Sequence, residues 1–303
     1  MTPPEVPPVP FEFPAPPDPA ALPLPPAAHP ARGVKLLRGV VYEMHGGSRP
    51  LELDLWLPTG GDAPAPVVVF VHGGGWRTGL RDDMGPRFRS WRPGPFARLV
   101  EAGFAVACPD YRLSGEAQFP AQRDDLAAAL RLLHGRAGEL GIDASRTVLW
   151  GESAGAHLAA HTALTTGVTG IEPVRGCVCW YGPSDLGALA EDHEGAFDPD
   201  DPGTFEALLL GTAPGADAGR ATAASPVAHV TAQAPPFLLL HGTADTVVPA
   251  RQSVRLAEAL REAGVSVDLR LVEGAQHLWS GISDERVAEC FGTSVEFALG
   301  HTR

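Results

Sequence analysis

Positive charge is scarce in this sequence. Against 36 acidic residues stand 23 basic ones, Lys35 being the single lysine, and the net charge is −13. A nucleic-acid binder needs a cationic face to displace counterions, so that class is excluded, and an anionic membrane surface is disfavoured for the same reason. With heavy use of alanine, glycine and proline, the near-absence of lysine looks like the coding bias of a GC-rich genome, which says nothing about mechanism.

Long apolar runs are missing too. No stretch approaches the roughly 20 apolar residues that a bilayer requires, and the N-terminus has neither the basic start nor the continuous apolar core of a signal peptide. The expectation is a cytoplasmic protein. Four cysteines (Cys108, Cys177, Cys179, Cys290) show no metal-ligand spacing. Cys177 and Cys179 would face the same way from a strand, as small buried hydrophobes rather than a redox pair. Hydrophobic residues at 44% and charged residues at 19% suit a globular chain of one large domain.

The chain divides by composition. Thirteen of the first thirty positions are proline, and Pro23-Leu24-Pro25-Pro26 can be neither helix nor interior strand. Residues 1–32 therefore read as a proline-rich N-terminal arm, with Phe11, Phe13 and Leu22 as side chains that could cover an active-site mouth or meet a partner subunit. From 33 to 303 apolar strand-like runs alternate with helix-like stretches. Leu51–Leu57 alternates with period two, as a half-buried antiparallel strand does, and Val67–Val71 is continuously apolar, as a strand covered on both faces is. Further strands are expected over Phe104–Cys108, Thr147–Trp150, Gly176–Trp180, Phe237–Leu240 and Val265–Leu271, and helices near 94–102, 120–138, 154–165, 250–263 and 284–299. Such alternation predicts an α/β fold: a mostly parallel central sheet flanked by helices. Residues 185–235 break the rhythm with Gly, Pro and Asp and one helical stretch near 204–210. They read as a small cap or insertion above the carboxyl edge of the sheet, where α/β enzymes place ligands.

The chemistry-bearing signal is Gly151-Glu152-Ser153-Ala154-Gly155, directly after an apolar strand and directly before a helix. G-x-S-x-G requires that context: a sharp turn holds the serine strained and exposed, and the helix aims its N-terminal amides at an oxyanion. Ser153 is thus the candidate nucleophile. His72-Gly73-Gly74-Gly75-Trp76, at the end of the Val67–Val71 strand, lets backbone N–H groups face a ligand; in acyl transfer these would stabilise the oxyanion with the amide of Ala154. A phosphate loop fits poorly, since the G-x-x-x-x-G-K-[ST] spacing is missing and no lysine is near.

A nucleophilic serine needs a base, and the base a carboxylate; in the fold that sets G-x-S-x-G on a strand-to-helix turn they come in the chain order Ser, Asp, His. Asp245 lies just past the Phe237–Leu240 strand and His277 just past the next one. Ser153, Asp245 and His277 should therefore converge at one sheet edge. His241 reads as a structural strand-end residue, while His229 and His301 follow no core strand. Asp268 lies within a strand, and Asp284 reads as a helix cap.

With these residues in view, the chain resembles the α/β-hydrolase superfamily, in its esterase/lipase branch related to hormone-sensitive lipase and the bacterial feruloyl-esterase-like (BD-FAE) group. The resemblance rests on HGGGW (72–76), PDYRL (109–113), GESAG (151–155), YGPSDL (181–186), HGTADTVVP (241–249) and the Gly274–His277 turn, across about residues 35–300. It implies an α/β-hydrolase fold and an oxyanion hole from Gly74, Gly75 and Ala154. No cofactor or metal is implied. Trp76 and Trp279 are candidate substrate-binding aromatics, either of which could instead serve as packing. Glu152 reads better as a bond to a neighbouring loop than as a tuner of the site.

The expected activity is hydrolysis of small, short-chain carboxylic esters through an acyl-enzyme, short because no apolar lid helix is visible. An arylformamidase, whose HGGxW motif residues 72–76 also satisfy, and an acyltransferase using the same triad are the alternatives. A non-catalytic relative fits poorly, since such proteins lose a triad member. A small-molecule ester is the expected partner, with no nucleic acid and no membrane, and a homo-oligomer is left open.

Overall fold

Residues 65–71 show how the sheet is made. In the computed structural model, which describes residues 15–46, 48–61 and 63–303, they form a strand in which every side chain but Pro66 is buried. Val67, Val69 and Val71 enter the core on one face, while Val68 and Phe70 enter the core on the other, as the period-two alternation of a strand requires. A strand covered on both faces must lie centrally.

Nine strands form the sheet: β1 (Ala27–Ala31), β2 (Val34–Glu43), β3 (Leu51–Pro58), β4 (Ala65–Val71), β5 (Ala105–Pro109), β6 (Ile142–Glu152), β7 (Gly176–Trp180), β8 (Phe237–Gly242) and β9 (Val267–Val272). Their order is β1-β2-β3-β5-β4-β6-β7-β8-β9. The first three pair antiparallel at one end, and the six from β5 to β9 are parallel.

The helices are α1 (Pro95–Glu101), α2 (Ala121–Gly135), α3 (Ala137–Leu140), α4 (Ala154–Leu164), α5 (Thr166–Thr169), α6 (Leu189–Asp192), α7 (Phe205–Leu210), α8 (Ala218–Ala224), α9 (Arg251–Glu262) and α10 (Asp284–His301). α4 is buried on every side from Ala154 to Ala163, as a helix without a polar face must be. Its alanines let it lie close against β6 and β7. No helix among the described residues is long and apolar enough to cross a membrane. Cys177 and Cys179 are free, buried thiols 3.6 Å apart on β7.

Three expectations need correction. The two strands β1 and β2 were not foreseen: Gly39, with φ of 72°, sits where the β2–β3 register shifts, and so interrupts the alternation of β2. The supposed arm is partly built into the fold, since β1 is an edge strand and carries Pro30 where an edge tolerates it. Phe11 and Phe13 lie outside the described residues. The Leu22 carbonyl accepts from Arg136 at the end of α2, which is the edge of the sheet away from the carboxyl ends of the parallel strands. Residues 185–235 hold three short helices, α6 to α8, and a 3-10 turn at Pro226–His229, where the sequence suggested one helical stretch.

Candidate active site

Ser153 occupies the one-residue turn between β6 and α4, with φ of 54° and ψ of −123°, a conformation L-residues rarely adopt. The flanking glycines allow it. A Cβ on Gly151 would lie 2.2 Å from the Gly155 carbonyl oxygen, and one on Gly155 2.1 Å from that of Val71. The Ser153 amide donates to the Trp180 carbonyl at 2.9 Å, tying the turn to β7.

The three side chains singled out in the sequence come together at the carboxyl edge. Ser153 Oγ lies 2.9 Å from His277 Nε2, and His277 Nδ1 lies 2.6 Å from Asp245 Oδ2. The other carboxylate oxygen of Asp245 accepts from the amides of Val247 and Val248, both at 2.9 Å. Burial alone would raise the Asp245 pKa. Hydrogen bonds from His241 and His277 and from the Val248 amide outweigh it and hold the carboxyl well below its ordinary range. An ionised Asp245 favours the proton on Nδ1 of His277, which leaves Nε2 free to accept from the serine hydroxyl.

His277 is supported from behind. It opens a short turn in which Leu278 and Trp279 both have positive φ. The Tyr181 ring meets the imidazole edge-on at 4.8 Å and Trp279 at the same distance. Arg87 reaches across to the carbonyls of Trp279 and Ile282. Trp279 is fully buried, so it does not line the entrance: the left-handed pair turns it inward, and its neighbour Leu278 lines the cleft instead.

On the other side lies the glycine run. Gly74 has φ of 111° and Gly75 φ of 60°, and a Cβ on Gly74 would fall 2.1 Å from the Thr78 carbonyl oxygen. Among the described residues the N–H groups of Gly74 and Gly75 have no acceptor, and that of Ala154 is a free first-turn amide of α4. All three residues face the same cleft as Ser153 and His277. The Gly73 amide differs, because it donates to Glu152 Oε1 at 2.8 Å. Glu152 is buried, which raises its pKa, and it acts as the loop bond expected of it. His72 turns away to stack on Tyr111 at 4.4 Å.

Trp76 is 2% exposed and still borders the cleft, so it is both wall and packing. The cleft measures about 550 Å³, within the range of small-molecule sites. Its far wall is the cap: His193, Phe197, Thr204, Phe205 and Glu206. The cap was expected over this edge, but which of its side chains line the cleft was not legible, since the cap has no apolar period.

The discarded candidates stand elsewhere. His241 bonds Ser253 and the Val248 carbonyl, His229 the Ala223 carbonyl, and His301 that of Phe297. Asp268 pairs with Arg270. Asp284 is the first helical residue rather than the cap, which is Ser283, and it pairs with Arg87.

Known proteins share this architecture. Residues 53–260 match the BD-FAE family model. The chain is 29% identical over 284 residues to an Arabidopsis thaliana protein named a probable isoprenylcysteine α-carbonyl methylesterase, covering 87% of this chain and 56% of that one. It is 35% identical over 212 residues to the carboxylesterase NlhH of Mycobacterium tuberculosis, covering 67% and 63%. The chain thus spans a little over half the length of the curated relatives it matches. Among solved structures, a truncated carbohydrate esterase from gut microbiota superposes with a TM-score of 0.75 at 26% identity, covering 88% of this chain and 96% of that one.

Proposed function

The chain belongs to the BD-FAE family of α/β-hydrolase esterases, and from that premise we propose that it is a serine carboxylesterase acting on short-chain carboxylic esters. The observation that carries the reading is the continuous relay from Ser153 Oγ through His277 to Asp245, at 2.9 and 2.6 Å, beside three backbone amides that have no acceptor among the described residues. Ser153 attacks the ester carbonyl while His277 takes its proton. The oxyanion that forms is held by the amides of Gly74, Gly75 and Ala154. The protonated imidazole, stabilised by Asp245, passes the proton to the departing alcohol. Water, deprotonated by the same imidazole, then releases the acid and restores the serine.

The preference for short acyl groups is supported by the cleft. Its roughly 550 Å³ must hold both halves of the ester, and Phe197, Phe205 and Pro183 wall it in.

The test is hydrolysis of p-nitrophenyl esters from acetyl to dodecanoyl by the wild type and Ser153→Ala. Turnover that declines beyond butyryl or hexanoyl and vanishes in a folded Ser153→Ala variant is expected. No turnover of any ester by the folded wild type, or an active Ser153→Ala variant, rejects the proposal.

A further inference from the structure

One carboxyl in the cleft is unused by the chemistry above. Glu206, on the first turn of α7, lines the same cavity as Ser153 and His277. Among the described residues no arginine, lysine or histidine lies within ion-pair distance of it, and no other side chain hydrogen-bonds it. Burial pushes its pKa up, and only its own backbone amide works against that. The acid is thus partly desolvated in a ligand cavity, with no cation among the described residues near enough to offset the cost.

Its surroundings suit one kind of visitor. Next to it in sequence, the Phe205 ring lies over the oxyanion glycines, so close that a Cβ on Gly75 would sit 3.0 Å from it. Phe205 is 51% exposed, and with Phe197 it gives the wall two aromatic rings. The basic side chains lining the cleft are His193 and His277. Burial lowers the His193 pKa, so His193 is neutral near pH 7 and does not fill the role of counter-ion. A carboxylate among aromatic faces, partly withdrawn from water, is the chemistry that holds an ammonium group. A polyol would instead need several directional partners, and the Thr204 hydroxyl is already committed, accepting from the Ala207 amide and donating to the Asp201 carbonyl. The net charge of −13 also draws cations toward the molecule.

We propose that Glu206 is a specificity determinant that selects esters bearing a single ammonium group, held against the cap wall by Glu206 with Phe197 and Phe205. The proposal rests on the esterase reading and adds the substrate class. A plainer account exists, since an acid at a helix N-terminus is favourable by itself; it predicts an effect on stability and none on discrimination between charged and neutral substrates.

The experiment compares isosteric pairs that exchange a trimethylammonium for a tert-butyl group. Butyrylcholine against 3,3-dimethylbutyl butyrate places the charge on the alcohol. p-Nitrophenyl 4-(trimethylammonio)butanoate against p-nitrophenyl 5,5-dimethylhexanoate places it on the acyl group. The quantity read is the ratio of kcat/KM within each pair, in which any general loss of activity cancels. In at least one pair the wild type is expected to favour the cation by about tenfold or more. Glu206→Gln should bring that ratio to near one, and Glu206→Asp should keep part of it. If the wild type hydrolyses the neutral esters but neither ratio depends on Glu206, this inference falls and the esterase reading stands. If the folded wild type hydrolyses none of the four esters, both fall.

Discussion

Trp76 donates its indole N–H to Nδ1 of His157 at 3.2 Å. The opposite nitrogen of that imidazole lies 2.7 Å from the Ala224 carbonyl. Nδ1 must therefore accept and Nε2 must donate, which fixes His157 as a neutral tautomer. One ring links the glycine run, the helix that begins at Ser153, and the cap.

Replacing His157 by leucine leaves both partners buried and unpaired. At about 1–3 kcal/mol for each unsatisfied group, the expected loss is roughly 2–6 kcal/mol in urea unfolding. A change within about 0.5 kcal/mol would show that the link contributes little.

Acid should weaken the fold before its carboxylates are protonated. Burial lowers the pKa of His157 to about 4 and that of His161 to about 3, against about 6.5 in an unfolded chain. Between those values the unfolded state binds more protons than the folded one, so stability falls as pH falls. The contribution is whole above about pH 6.5 and is lost progressively toward pH 4 and 3. Asp245 acts lower: its depressed pKa gives stability that is present above about pH 4 and is lost beneath it. Unfolding midpoints should drop for the wild type as pH falls from about 6.5 to 4. The drop should be shallower for a folded His161→Phe variant. A flat profile from pH 7 to 5 would contradict this account.

Ser153 should prove unfavourable for stability. At φ of 54° and ψ of −123°, a side chain costs on the order of 1–3 kcal/mol, while glycine at such a site loses about 0.5–1 kcal/mol through unfolded-chain entropy. Ser153→Gly is therefore expected to gain about 1 kcal/mol in thermal unfolding while losing all turnover. A lower Tm than wild type would mean that the turn is not strained.

Asp245→Asn keeps the shape but offers an amide to His277 Nδ1, which favours the proton on Nε2 where it cannot accept from serine. A fall of about 10⁴-fold in kcat on p-nitrophenyl butyrate is expected, together with a lower unfolding midpoint near pH 7, because the stability held by the ionised carboxyl is lost. A fall of less than tenfold would remove Asp245 from the role proposed for it.

The parallel strands were legible because burial on both faces leaves continuous apolar runs, as at Val67–Val71, and the glycines beside Ser153 were legible because no other residue fits between the backbones they touch. The meeting of the candidate side chains was legible where they follow strand ends, as at Asp245 and His277. Trp279 misled because position along the chain does not tell which way a residue turns, and the left-handed pair at Leu278 and Trp279 has no glycine to announce it. β2 was hidden by its bulge at Gly39. The cap was unreadable for a different reason. Short helices such as α6 and α7 are held by long-range bonds, for instance from Gln252 and Arg255 to the Asp192 carboxylate and from the Phe119 amide to the Leu209 carbonyl, and these leave no periodic trace.

The histidines of α4 reach further than packing. His157 and His161 grip the carbonyls of Ala224 and Ala223, so the end of α8 is fastened to the same rigid rod that begins at Ser153. A roof anchored in this way has little freedom to swing aside at an oil–water boundary. Rate should accordingly follow ordinary saturation as ester is added, with no jump when the substrate passes its solubility limit and droplets form.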